Sequence, residues 1–136
     1  YMTGYKYNFG NIAVGAAKSK ALWLRNIGSR EAVIDPADPT IDSPALSWRT
    51  GRDNTGRVVR GFPGRDNNQN FSCHKFQGGD GIFRIPANET CRTFVVFRPK
   101  EAITYEEMKI EIPWMNSEGF DQMLLNRILK GVGVAP

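Results

Sequence analysis

The stretch "RIPANETCRTFVVFRP", residues 84–99, decides the fold class. From residue 91 onward its side chains alternate with a period of two, which is typical of a β-strand. One face carries Cys91, Thr93, Val95 and Phe97, and the other carries Arg92, Phe94 and Val96. Because apolar residues occupy both faces toward the end of the stretch, we expect a central strand that is covered on both sides.

The same alternation recurs along most of the chain. It predicts further strands at 18–27, 31–34, 45–49, 70–73, 81–85, 105–112 and 122–129. The last of these also fits helical spacing, but its neighbours are strands and Gly131 and Gly133 follow, so we favour a strand. Seven to nine short antiparallel strands with turn residues about every ten positions predict an all-β protein, a β-sandwich.

The size and charge of the chain fit one domain with a single basic region. A chain of 136 residues is enough for one domain, with its core at about 7–134, and it can equally be a piece of a longer protein. The net charge is +4, of which residues 49–70 contribute +3, from five arginines against Asp53 and Asp66. We interpret 49–70 as a long basic loop insertion. No stretch approaches the roughly 20 apolar residues that cross a membrane, so we expect no membrane span in this segment.

Two cysteines, Cys73 and Cys91, leave two readings open. In an exported protein they would pair, and in the cytosol they would be free thiols. If they pair, closing their loop is worth about 3 kcal/mol in the chain-entropy model.

The sequence contains no group of residues typical of a catalytic, metal-binding or cofactor-binding site. The single histidine, His74, is adjacent to Cys73, and side chains adjacent along a strand point to opposite faces, so a Cys–His nucleophile pair is not expected. Two cysteines and one histidine are too few ligands for zinc, and no stretch matches a calcium loop. We therefore expect no enzyme activity, no metal and no cofactor.

Three motifs resemble one family. The segment "FGNIAVGAAKSKALWLRNIG", residues 9–28, resembles the opening of ASH-type (ASPM, SPD, Hydin) immunoglobulin-like domains, with Phe9-Gly10, Val14-Gly15 and Asn26-x-Gly28. The stretch at 85–99 is similar to the bacterial choice-of-anchor variety, in which Pro and a small residue precede a Cys and a strand ending in Phe-x-Pro. The closing "LKGVGV" resembles their final Leu-x-Gly-x-Gly. The family's middle is usually shorter, so 49–70 looks like an insertion.

The resemblance implies an immunoglobulin-like β-sandwich that acts as a non-enzymatic structural or interaction module. It implies a disulfide between Cys73 and Cys91, as in exported members. We therefore expect an extracytoplasmic setting in a bacterial envelope, surface or secreted assembly, with other protein subunits as partners. Docking is expected through sheet edges or through the basic loop.

The candidate partner-binding residues are arginines of the basic loop and tryptophans. They are Arg49, Arg52, Arg57, Arg60, Arg65, Trp48, Trp23 and Trp114. The alternatives are a cytoplasmic cilium- or microtubule-associated ASH-type module and a carbohydrate-binding module that uses the three tryptophans. Nucleic-acid binding by the basic loop is a weaker alternative. We expect deletion of residues 51–67 to leave the fold intact and to abolish partner binding.

Overall fold

The computed structural model describes residues 1–4, 6–117 and 122–136. Within these residues it contains eleven strands, more than the seven to nine predicted, because those at 8–13, 40–42, 51–52 and 58–59 were not predicted, and the last three are only two or three residues long. They are β1 (Asn8–Ala13), β2 (Lys18–Arg25), β3 (Ala32–Ile34), β4 (Thr40–Asp42), β5 (Leu46–Trp48), β6 (Gly51–Arg52), β7 (Val58–Val59), β8 (Phe83–Ile85), β9 (Thr90–Phe97), β10 (Thr104–Asn116) and β11 (Gln122–Val134). A 3-10 turn, Cys73–Phe76, lies between β7 and β8.

The small sheet has the order β2-β9-β5, and all its pairs are antiparallel. The strand predicted from residues 91–97 is therefore central, as expected. Its alternation is confirmed by burial, since every second residue from Cys91 to Phe97 is buried and those between are half-buried. The register places Trp23 opposite Arg92 and Ala21 opposite Phe94 on the outward face.

The large sheet has the order β1-β11-β10-β3-β8, and β4 also pairs with β10. The prediction that 122–129 is a strand is confirmed, as β11 pairs with β10 along most of its length. One pair departs from the antiparallel prediction: β1 runs parallel to β11. Parallel neighbours need a long connection between them, and here nearly the whole chain lies between the two strands. No local sequence pattern signals such a pair.

The two sheets pack face to face around one hydrophobic core, which confirms the β-sandwich. The fully buried side chains at its centre alternate along their strands; they are Leu22, Thr93, Val95, Phe97, Met108, Ile110, Ile112 and Leu129. The core also begins before residue 7, where we expected it to start. Met2 is 1% exposed and forms a β-bridge with Leu24 at the edge of β2.

A glycine near the end of β11 allows the sheets to approach at one point. A Cβ added at Gly131 would lie 2.6 Å from Cε2 of Phe97, closer than real side-chain atoms approach. The closing Leu-x-Gly-x-Gly pattern therefore has a steric reason here: the phenyl ring of Phe97 occupies the space that a side chain at 131 would need.

The structure corrects two expectations about the middle of the chain. Residues 70–73 do not form a strand, since only Ser72 bridges to Arg92 before the 3-10 turn begins. The basic segment 49–70, predicted as a long loop, contains the β6–β7 hairpin and two buried side chains, Phe62 and Asp66, which are 5% and 0% exposed. Deleting residues 51–67 would remove both buried side chains, so from the structure we expect this deletion to destabilise the fold.

Candidate interaction surface

The disulfide joins the end of the basic segment to the central strand of the small sheet. Cys73 and Cys91 are bonded, and both are fully buried. This is the pairing that the resemblance implies. The backbone beside it is also attached, because the amide of Arg92 donates to the carbonyl of Phe71 at 2.6 Å. Residues 71–73 are therefore fixed against the start of β9.

An arginine and three aromatic rings form a platform on the outward face of the small sheet. The guanidinium carbon of Arg92 lies 5.4 Å from the ring centroid of Trp23, 5.1 Å from that of Phe71 and 6.0 Å from that of Phe94. Trp23 and Phe71 also meet edge to face, with centroids 5.8 Å apart. At these distances a cation attracts the faces of aromatic rings. We call Trp23, Phe71, Arg92 and Phe94 the aromatic platform.

A buried carboxylate holds the platform's arginine in place. Asp66 is fully buried, and its two oxygens accept hydrogen bonds from Nε and NH2 of Arg92. Because the paired guanidinium is fixed, the rings packed on it are fixed as well. Phe71 remains 44% exposed, and it presents a large apolar surface to solvent at the edge of this arrangement.

The predicted arginines fall into three groups. Arg49 joins the aromatic platform, with its guanidinium carbon 5.0 Å from the ring centroid of Phe94. Arg52 and Arg65 support the hairpin, since Arg52 donates to Gly56 O at 3.0 Å and Arg65 donates through Nε to Arg52 O. Arg57 and Arg60 are exposed beyond it. Of the predicted arginines, the structure therefore places Arg49 beside Phe94 of the aromatic platform and the others elsewhere.

Two of the predicted tryptophans pack against the hydrophobic core. The ring of Trp48 meets Phe62 edge to face, with centroids 5.3 Å apart, and is only half exposed. Trp114 was expected on an outward face or in a turn. It instead lies on β10 and lines a small apolar pocket of about 60 Å³ between the sheets, together with Leu24 and Leu125.

Sequence reasoning missed Arg92, Phe94 and Asp66. Phe94 lies half-buried on the outward face, although we expected both faces of this strand to be covered. The outward phase of Arg92 and Phe94 was visible in the alternation. Their meeting with Trp23 depends on the register between β2 and β9, and the meeting with Asp66 depends on the path of the basic segment, which no local pattern encodes.

His74 lies in the 3-10 turn and not on a strand, so strand geometry does not point its side chain away from that of Cys73. Nδ1 of His74 lies 3.0 Å from the hydroxyl oxygen of Ser72, and burial lowers the pKa of the imidazole below its ordinary 6.5. Both cysteine sulfurs are in the disulfide, so neither is a thiolate that His74 could activate.

In residues 1–4, 6–117 and 122–136, no three His, Cys, Asp or Glu side chains lie together in a way that could hold a metal ion. The same part of the chain has no helix of the length and apolar character that a membrane crossing needs.

No protein-family model matches the sequence, and no curated protein matches it either. The fold, however, is similar to solved structures. PapD-like domain 7 of human CEP192, an ASH / PapD-like domain, matches with a TM-score of 0.60 and 16% identity, over 100% of this chain and 85% of that one. The VesB protease of Vibrio cholerae matches with a TM-score of 0.58 and 11% identity, over 94% of this chain but only 30% of that one. At such low identity these likenesses show the fold, which is the ASH-like, immunoglobulin-like sandwich that the motifs imply.

Proposed function

We propose that this domain is a non-enzymatic interaction module that docks onto a protein partner through the aromatic platform and Arg49. The observation that carries the proposal is the fixed arrangement of Trp23, Phe71 and Phe94 around the guanidinium of Arg92. Tryptophan, other large aromatic residues and arginine are enriched where protein interfaces concentrate their binding energy. Rings that are already ordered lose little side-chain entropy on binding, which favours affinity.

An oxidising compartment is the setting that we propose for this module. The support is the disulfide itself, because cytosolic thiols are kept reduced. The narrower proposal of a bacterial envelope, surface or secreted assembly is supported by the choice-of-anchor motifs alone. Alkylation of protein from its native source under denaturing, non-reducing conditions tests the compartment. Blocked cysteines support it, and two labelled thiols would favour the alternative, a cytoplasmic ASH-type module like the fold neighbour in human CEP192.

The carbohydrate-binding alternative has less support, because the three tryptophans do not share a surface. Trp23 lies on the outward face of the small sheet, Trp48 packs on Phe62, and Trp114 lines a pocket between the sheets. Retention on a glycan affinity gel that is lost in Trp23→Ala would revive this alternative.

Photo-cross-linking tests the platform as the docking surface. A photoreactive amino acid replaces Phe71, and in a matched protein it replaces Leu124, which is 52% exposed on the large sheet. Both proteins are expressed in the native source. We expect one protein species to be captured from position 71 and not from position 124. Equal capture from the two positions, or capture from 124 alone, would overturn the assignment.

A further inference from the structure

A second surface lies beside the basic hairpin β6–β7 and has the dimensions of a binding site. Between this hairpin and residues 69–79 there is an open cleft of about 520 Å³, within the range of ligand pockets, roughly 300–1,000 Å³. We call it the basic cleft. Arg57 and Arg60 line it on the hairpin side, and His74 lines the opposite wall. Val59 and Phe62, both buried, supply apolar contacts at its base.

The positive charges that line the basic cleft outnumber the negative ones. Arg57 and Arg60 are both exposed, and no ion pair between described residues includes either guanidinium. The cleft-lining carboxylate of Asp53 is already engaged. Its Oδ1 accepts from the amide and hydroxyl of Thr55 and from the amide of Arg57, at 2.9, 2.6 and 3.0 Å. Two cations therefore face one described carboxylate, whose charge also interacts with Arg57, so one positive charge remains in excess.

Both walls of the basic cleft are held in place before any ligand arrives. The hairpin wall is fixed by Asp53, whose hydrogen bonds close the turn at residues 53–57. The opposite wall is fixed by the Cys73–Cys91 disulfide and by Ser72, whose hydroxyl accepts from the amide of His74. A preformed cleft loses less entropy on binding than a loop that must be ordered.

We propose that the basic cleft binds an acidic segment of a protein partner, whose carboxylates pair with Arg57 and Arg60 while an apolar side chain contacts Val59 and Phe62. A carboxylate fits because a guanidinium donates to it in a bidentate fashion. A protein segment fits better than a small free anion, since the cleft is larger than one anion and part of its lining is apolar. This inference rests on the proposed function, that the domain docks onto protein, and it names the chemistry of the partner.

The test uses the full chain and a matched pair of blocked peptides. The ¹⁵N-labelled protein is titrated with acetyl-Glu-Glu-Leu-Glu-Glu-amide and with its Gln counterpart, while NMR follows the Nε–Hε signals of the arginines and the amides of 57–60 and 74–79. We expect saturable shifts at these positions with the acidic peptide only. The double variant Arg57→Ala/Arg60→Ala should weaken binding about tenfold, as expected for two exposed ion pairs. The control Arg98→Ala, an exposed arginine outside the cleft, should leave it unchanged.

Several outcomes would overturn the inference. These are equal binding of the Gln peptide, equal weakening by Arg98→Ala, and absence of shifts in the cleft. If inorganic phosphate competes with an affinity equal to that of the acidic peptide, the cleft is a simple anion site. That result would contradict the proposal that it binds a protein segment. Cross-linking from position 71 separates this inference from the proposed function. If that cross-link persists while the peptide fails to bind, the basic cleft alone is wrong; if the cross-link is absent, the docking function itself fails.

Discussion

Arg92 and Asp66 form a two-pronged ion pair between the central strand and the basic segment. Nε of Arg92 donates to Oδ2 of Asp66 at 2.8 Å, and NH2 donates to Oδ1 at 2.6 Å. The Asp66 side chain is 1% exposed and that of Arg92 is 21% exposed. The same guanidinium packs against Trp23 and Phe71, so one charged group both anchors the segment and organises the aromatic platform.

Removing the carboxylate of this pair should destabilise the fold strongly. Asp66→Asn leaves the guanidinium of Arg92 without its counter-charge in a largely buried place, which costs about 3 kcal/mol of unfolding free energy. Urea denaturation measures the loss. The control Asp38→Asn, at an exposed carboxylate, should stay within about 0.5 kcal/mol of wild type. Similar small effects of both substitutions would show that the ion pair does not hold the segment.

Removing the disulfide should cost stability and loosen the platform. The bond closes a segment with a sequence separation of 18, and its loss in Cys73→Ala/Cys91→Ala should lower the unfolding free energy by about 3 kcal/mol. Both cysteines are fully buried, so alanine avoids placing a hydroxyl group in the core. The amides of Phe71 and Arg92 should then exchange faster with solvent than in the oxidised protein. Unchanged exchange at these two positions would mean that the backbone pairing alone fixes Phe71.

A methyl group at Gly131 should force the core apart. Gly131→Ala brings the new Cβ to within 2.6 Å of the Phe97 ring, and such overpacking costs about 1–3 kcal/mol. The control Gly79→Ala has no heavy atom within 4 Å of the added Cβ and should change the unfolding free energy by less than about 0.5 kcal/mol. If Gly131→Ala is as stable as the control, the sheets do not approach as closely as the structure shows.

His74 should make stability depend on pH. Burial lowers the pKa of its imidazole below 6.5, an effect that Arg65 adds to and that Asp53 and Asp66 oppose. As the pH falls through about 6.5, the unfolded chain takes up this proton before the folded one does, so the unfolding free energy decreases. Below the folded-state pKa the decrease levels off.

Urea midpoints at pH 7.5 and at pH 5.5 measure this effect. We expect a larger drop for the wild type than for His74→Gln, which cannot titrate. An equal drop in the two proteins would assign the pH dependence to other groups.

The strands that alternate could be predicted from sequence, and the pairings between distant segments could not. Cys91 to Phe97 could be predicted as a central strand because apolar residues on both faces form a pattern within seven residues. The alternation from Tyr105 to Ile112 likewise predicted β10. The parallel pair of β1 and β11 and the burial of Asp66 left no such pattern, because both depend on contacts made after the chain has folded back on itself.

About half of the candidate site followed from residue type alone. Trp23 and Arg49 were identified because aromatic residues and arginines are common at interfaces, and both lie at or beside the platform. Trp48 and Trp114 were identified for the same reason and prove to be partly buried and packed against the hydrophobic core. Residue type could not separate these pairs, since the register and the route of the chain decide which ring faces solvent.

The most direct test of the account is the affinity for the partner captured by cross-linking, measured for Phe71→Ala and for Leu124→Ala. Both substitutions truncate an exposed apolar side chain, one on the aromatic platform and one on the large sheet. We predict that Phe71→Ala raises the Kd about tenfold or more, as for a hot-spot residue, while Leu124→Ala leaves it within about twofold. An unchanged Kd for a folded Phe71→Ala protein, or a larger loss for Leu124→Ala, would contradict the claim that the domain docks through the aromatic platform.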